Sequence, residues 1–193
     1  AAGLCFGGTT ALDFFRRGKL AKGETLLVNG ASGAVGVAAV QLAKLQGVHV
    51  TAVCSAANAT LMRSPGADEG IDYTKEDFTL NGKTYDLIMD NVGTAPFSRS
   101  KNSLKLNGRL LAVLAGLPDI LGSLWVNMTS SKKVVAGPSS EQAADVQQLA
   151  EFVTQGKYKP VLDRTFALEQ IADAHAYVDT GRKKGHVAIK MPN

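Results

Sequence analysis

The stretch Leu27-Val28-Asn29-Gly30-Ala31-Ser32-Gly33-Ala34-Val35-Gly36-Val37 decides the fold of this chain of 193 residues. Leu26-Leu27-Val28 follows the turn Lys22-Gly23-Glu24 and is short and wholly apolar, which predicts a strand buried on both faces. From Ala34 to Gln46, the residues Val35, Ala38, Ala39, Leu42, Ala43 and Gln46 recur at helical spacing, and Gly47 stops the helix. Strand and helix are joined by Gly30-x-x-Gly33-x-x-Gly36, and Val48 to Val53 reads as the next strand. Glycines are required at such a joint where the backbone turns tightly, approaches a ligand and then lets the helix lie against the sheet. The unpaired amides and positive dipole end of that helix suit a phosphate. In this strand–turn–helix–strand context the pattern predicts a dinucleotide site; the competing interpretation is a structural turn without a ligand.

Further along, Leu87-Ile88-Met89, Leu110 to Leu114 and Val134 to Ala136 are expected as buried strands. Ala59 to Ser64 reads as a short helix ended by Pro65-Gly66, and Ala95 to Leu104 as a helix closed by Asn107-Gly108. Ala143, Val146, Leu149, Ala150 and Val153 share one helical face ended by Gly156; Leu168, Ile171, Ala172, His175 and Val178 share another ended by Gly181. His186 to Met191 alternates as a last strand. Strands alternating with helices predict an α/β domain with a doubly wound parallel sheet, a Rossmann-type NAD(P)-binding fold.

The composition agrees: 45% apolar, 20% charged, 20 glycines and only 6% aromatic residues. The net charge of +4 is dispersed, and nucleic-acid binding calls for a basic stripe. The densest basic run, Arg182-Lys183-Lys184, reads as a solvated helix end. The longest apolar-plus-glycine runs, Gly33 to Val40 and Leu110 to Leu117, fall far short of the roughly 18 residues of a membrane span. No signal peptide is expected. Cys5 and Cys54 form no disulfide framework and no CxxC occurs, so a reducing, cytoplasmic setting is expected. The chain opens Ala1-Ala2-Gly3-Leu4-Cys5, which reads like a piece of something longer.

The run Gly30-Ala31-Ser32-Gly33-Ala34-Val35-Gly36, then Ala39-Val40-Gln41-Leu42-Ala43-Lys44, closely resembles the medium-chain dehydrogenase/reductase superfamily, in its zinc-independent quinone oxidoreductase (zeta-crystallin-like) branch. Gly66-Ala67-Asp68-Glu69 before Ile71-Asp72-Tyr73, Tyr85 to Asp90, Gly108-Arg109-Leu110, Ala174-His175 and Gly185-His186-Val187 extend the resemblance over essentially the whole chain. In that family a GroES-like substrate domain precedes the dinucleotide-binding domain. The resemblance therefore implies that residues 1–193 are the cofactor domain with short flanks, and that most of the GroES-like half is absent.

The resemblance also implies the site. Gly30, Ala31, Ser32, Gly33, Ala34, Val35 and Gly36 would cradle the pyrophosphate, with Ser55 at the end of the second strand. Tyr73 would lie beside the adenosine, Asn91-Val92-Gly93 at the mouth of the fourth strand, and Ala115-Gly116 near the nicotinamide. Zinc alcohol dehydrogenases share the superfamily and take a metal-ligating cysteine just upstream of a helix-opening threonine. The register here is open: four residues before Thr10 stands Phe6, and four before Thr9 stands Cys5. No second ligand is identifiable, and Cys5 reads better as a small buried thiol, so no metal is expected. The Tyr-x-x-x-Lys of short-chain reductases is missing, since Asp77, Met89, Leu162 and Gly181 follow Tyr73, Tyr85, Tyr158 and Tyr177 by four. His49 near a strand start and His175 on an apolar helix face, read as a packed histidine, make no catalytic set, and no general acid is identified.

NADPH is expected over NADH. An NAD site places an acid at the end of the second strand, whereas Ala52-Val53-Cys54-Ser55 has none and the next carboxylate is Asp68; Asn58 and Arg63 are candidate 2′-phosphate contacts. Two functions follow. One is an NADPH-dependent reductase of quinones or conjugated carbonyl compounds, a small-molecule enzyme whose hydride comes from the nicotinamide. The other is a dinucleotide-binding module of sensory or structural role, and a zinc alcohol dehydrogenase half stands behind both. An exposed sixth strand at Lys133–Ala136, with Leu121, Leu124 and Trp125 upstream, predicts a homodimer, the arrangement common in the resembled family.

Overall fold

The computed structural model describes residues 3–58 and 66–192. Its element order is α1 (Cys5–Arg17), β1 (Thr25–Asn29), α2 (Ala34–Leu45), β2 (His49–Cys54), β3 (Glu69–Asp72), β4 (Tyr85–Asp90), α3 (Phe97–Ser100), β5 (Leu104–Ala112), α4 (Leu117–Thr129), β6 (Lys133–Val135), α5 (Ala143–Thr154), β7 (Leu162–Ala167), α6 (Ile171–Asp179) and β8 (His186–Lys190). Six strands form one parallel sheet in the order β3-β2-β1-β4-β5-β6, and β7 pairs with β8 in a separate parallel pair. The order reverses between β1 and β4, the switch point where such sheets open a crevice at the strands' carboxyl ends.

Alternation along each strand divides the core into two layers, because successive side chains point to opposite faces. Leu26, Val28, Val50, Ala52, Leu87, Met89 and Leu111 pack with α1, α2 and Leu149 of α5. Leu27, Val53, Ile71, Ile88, Leu110 and Val134 pack on the other face with Phe78, Ala95 and Leu104. Both faces are covered, which is why these strands are continuously apolar.

Helix α1 is unmarked by the periodicity because two glycines stand in it. Both are packing positions: a Cβ on Gly7 would lie 2.4 Å from the carbonyl oxygen of Ala34, and one on Gly8 would lie 2.6 Å from Leu149 Cδ1. Small residues there bring α1 against the start of α2, and Phe14 and Phe15 are buried behind them.

Four expectations are corrected. The segment 95–104 is helical only over Phe97–Ser100, followed by a 3-10 turn at Lys101–Ser103. Asn107-Gly108 lies inside β5, where Asn107 has φ 61° and the pairing with β4 shifts register, so it marks an irregularity within a strand. His175 and Cys5 are exposed: α6 buries only Ala174, and Cys5 begins α1 at the surface. The helix expected over 59–64 falls outside the described residues, as does Arg63.

Candidate cofactor site

The glycine turn leaves β1 and opens α2. Gly30 has φ 72°, a left-handed conformation favouring glycine. A Cβ on Gly36 would lie 2.3 Å from the Gly30 carbonyl oxygen and 2.6 Å from Ala31 Cα, so the first turn of α2 sits directly on the loop. The Ala31 amide donates to the Val53 carbonyl at 3.1 Å and that of Gly33 to the Gly30 carbonyl at 3.2 Å. Ala31, fully buried, is thus a structural member of the turn. No side chain caps α2, so the amides of its first turn are available to an anion.

These residues line a cavity of about 610 Å³ formed by Gly30, Ser32, Gly33, Ala34, Val35 and Gly36 together with Asn91 and Val92. Its further walls are Phe6, Thr10 and Phe14 of α1, Val113 and Leu114 after β5, Gly137–Ser139 after β6, and Gly181 and Lys183 before β8. The structure therefore brings together most of the expected turn residues and Asn91-Val92. Gly93 (φ 75°) shapes the loop, while Val113 and Leu114 line the cavity and Ala115 and Gly116 follow directly after them outside its lining. Helix α1 and the segments after β6 and before β8 escaped sequence reasoning. The topology alone signals the β6 contribution, since Gly137 follows a strand's carboxyl end.

The loop after β4 is held by a buried carboxylate. Asp90 Oδ1 accepts from Asn29 Nδ2 at 3.0 Å and from the amides of Val92 and Gly93 at 3.1 Å; its Oδ2 accepts from the Ala95 amide at 2.7 Å. Asn29 Nδ2 also donates to Thr94 Oγ1 at 3.0 Å. Asn91 Nδ2 donates to the Asn29 carbonyl at 3.1 Å, leaving Asn91 Oδ1 buried without a partner among the described residues. A buried acceptor left open beside the cavity fits a hydrogen-bond-donating ligand.

Two more cavities continue around the strand ends. One of about 540 Å³ is lined by Asn29, Gly30, Val53, Tyr73, Asp77, Phe78, Val92 and Arg99. Tyr73 is 63% exposed and lines this cavity. The Arg99 guanidinium donates to Asp77 Oδ2 at 2.6 Å and, with Thr79, holds that carboxyl down at about 2. The other, about 470 Å³, is lined by Cys54, Ser55, Asp68, Glu69, Asp72 and Lys75. Here the linear sequence misleads: Asp72 pairs in register with Cys54 across β2 and β3, so a carboxylate stands beside the end of the second strand after all. Burial, then the charge of Asp72, pushes the Cys54 thiol up. Cys54 belongs to the core cluster as well as to this lining, and the half-buried Ser55 follows it there.

Among the described residues, no group of three or more His, Cys, Asp or Glu side chains gathers as a metal would require. The glycine cradle with its open acceptor fits a dinucleotide. Among the described residues, no helix is long and apolar enough to cross a membrane.

Comparison with known proteins agrees with this fold. The family described as zinc-binding dehydrogenase matches residues 65–189. The chloroplastic quinone-oxidoreductase QR1 of Triphysaria versicolor is 36% identical over 172 residues, which cover 86% of this chain and 52% of that protein. A mitochondrial NAD(P)H oxidoreductase of Mus musculus is 33% identical over 201 residues, covering 90% of this chain and 49% of the relative. The structure of the quinone oxidoreductase from Coxiella burnetii superposes with a TM-score of 0.88 at 25% identity, covering 98% of this chain and 60% of that one. The chain thus spans about half the length of the curated relatives it matches. Glycine turn, strand order and relatives together assign it: the chain belongs to the medium-chain dehydrogenase/reductase superfamily, in its quinone oxidoreductase-like family.

Proposed function

We propose that this chain is the NADP(H)-holding part of an oxidoreductase that reduces quinones or conjugated carbonyl compounds. The observation that carries the reading is the cavity at the switch point, where the glycine turn, the open end of α2 and the unpartnered Asn91 Oδ1 meet. The bound dinucleotide supplies a hydride, two electrons with one proton, to an electron-poor centre of the acceptor. The residues do the rest. The first-turn amides of α2 bind the pyrophosphate, Tyr73 flanks the adenosine, and Phe6, Phe14, Val113 and Leu114 form an apolar wall that keeps water from the redox end.

The phosphorylated cofactor is favoured by Ser55 at the mouth of the second strand and by Lys75 in the same lining. Asp68 and Glu69 in that lining are paired with Lys44 and Lys83, whereas Asp72 is in no ion pair among the described residues, which limits the preference to about tenfold, or 1.4 kcal/mol. Substrate-orienting residues are proposed to come from the part of the longer relatives that this chain does not match. An acceptor must be held at roughly 3–3.5 Å from the reacting carbon, so binding without turnover is expected of these 193 residues.

The test titrates the chain with NADPH by fluorescence and then follows NADPH absorbance with a panel of quinones and enals. Binding supports the reading. Absence of binding refutes it, and rapid quinone-dependent oxidation refutes the division of labour between this chain and a substrate-orienting part.

A further inference from the structure

The run Arg182-Lys183-Lys184 is not uniformly solvated: Arg182 and Lys184 are exposed, while Lys183 is half-buried and lines the same cavity as the glycine turn. The cause is the way its loop is pinned. The Gly185 amide donates to the Ser32 carbonyl at 2.8 Å, and Gly33 and Gly185 form an isolated parallel bridge. Gly185 has φ 71°, and a Cβ there would lie 2.3 Å from the Val161 carbonyl oxygen, so only glycine fits this tie. Two residues before it, Lys183 is held at the mouth of the turn.

Its ammonium is under-used. Nζ donates to the Gly185 carbonyl at 3.0 Å, yet an ammonium carries three donors. No ion pair among the described residues includes Lys183, although acids elsewhere pair with Lys44, Lys83 and Lys105. Burial lowers its pKa from the ordinary lysine value, with the charge of Asp163 opposing. A half-buried cation that Asp163 influences from a distance but does not contact as an ion pair, lining a cavity floored by the amino end of a helix, has donors left for an anion there.

We propose that Lys183 is a positioning residue for the cofactor's pyrophosphate, closing on it from the side opposite the first turn of α2. This rests on the cofactor reading above. The pyrophosphate is the anion common to NADPH, NADH and ADP-ribose, so Lys183 strengthens all three without discriminating among them. The 2′-phosphate is assigned elsewhere: the cavity at Ser55 is lined by Lys75 and not by Lys183.

Calorimetric titration of the chain, of Lys183→Met and of Lys183→Arg with NADPH, NADH and ADP-ribose tests this. Lys183→Met is expected to weaken all three by about tenfold and by a common factor, the size of one charge-assisted hydrogen bond. Its affinity should also fall less steeply with added salt. Lys183→Arg should keep most of the affinity, which a packing role would not explain. Unchanged binding by Lys183→Met, a loss confined to NADPH, or an equal loss in both variants would each overturn the assignment. If the unsubstituted chain binds none of the three, the cofactor reading fails and the assignment falls with it.

Discussion

Asn29 at the end of β1 donates to Asp90 at the end of β4, 3.0 Å from Nδ2 to Oδ1, and so ties together the two strands between which the sheet order reverses. The same carboxylate accepts three amides of the following loop, which makes it the organiser of that side of the crevice. Asp90→Ala would leave Asn29 and those amides without their acceptor. A destabilisation of about 2–3 kcal/mol is expected from buried donors left unsatisfied, with weaker NADPH binding. Urea unfolding and a cofactor titration check both; a stability equal to that of the parent chain would contradict this role.

Two glycines of the turn should respond differently. At Gly33 an added Cβ meets only the Gly30 carbonyl oxygen at 3.6 Å, and φ is −77°, so Gly33→Ala should keep its melting temperature. Its methyl nonetheless enters the cavity, and NADPH affinity should drop. Gly36→Ala drives its Cβ to 2.3 Å from backbone oxygen, which displaces α2 and should cost about 1–3 kcal/mol as well as binding. Equal melting temperatures for the two variants would refute this contrast.

Ser55 stands where a carboxylate would repel a 2′-phosphate and accept from ribose hydroxyls. Ser55→Asp is expected to reduce the ratio of NADPH to NADH affinity by about tenfold, a difference near 1.4 kcal/mol. Ratios of dissociation constants measured side by side decide it, and an unaltered ratio would place the 2′-phosphate elsewhere.

Asp77 links stability to acid. Its pKa is lowered from 3.8 to about 2, chiefly by the guanidinium of Arg99. A group depressed in the folded state contributes stability above its unfolded value and loses it as pH falls through the folded one. Asp77→Asn should therefore flatten the stability profile between 3.8 and about 2, and acid titrations of the two proteins by circular dichroism would reveal it. Parallel acid limbs would disprove the linkage.

Among the described residues, strand β6 pairs only with β5 and forms one edge of the sheet, while α4 beside it exposes Leu117, Leu121, Leu124, Trp125 and Met128. An open edge flanked by apolar surface favours a second copy of the chain. Sedimentation should give a dimer, and Trp125→Glu, at 71% exposure, should give a monomer without loss of fold. A parent chain that is monomeric at high micromolar concentration would count against the pairing.

The sheet and the glycine turn were legible because their determinants are local: apolar triplets for buried strands, a 3.6-residue stripe for α2, glycines between. What stayed hidden depends on partners distant in the chain. Helix α1 carries glycines that look like breakers until Ala34 and Leu149 are seen against them. Strand β3, Glu69-Gly70-Ile71-Asp72, is too polar to announce itself, and only pairing with β2 defines it. Helix α4 shows its apolar residues to solvent, so burial gives it no stripe. Lys183 reads as one of three surface cations until Gly185 is found bound to Ser32.

The contact of residue 33 with residue 185 also sets an order of events in time. Its two halves lie far apart in the chain, and closing so long a loop is the slow kind of step in folding. On the ribosome, Gly185 and the strand β8 that follows it emerge after all six strands of the main sheet. The sheet can form first, but the glycine turn acquires its last wall only when synthesis of this segment is over, so ligand-dependent stabilisation reaches the nascent protein late.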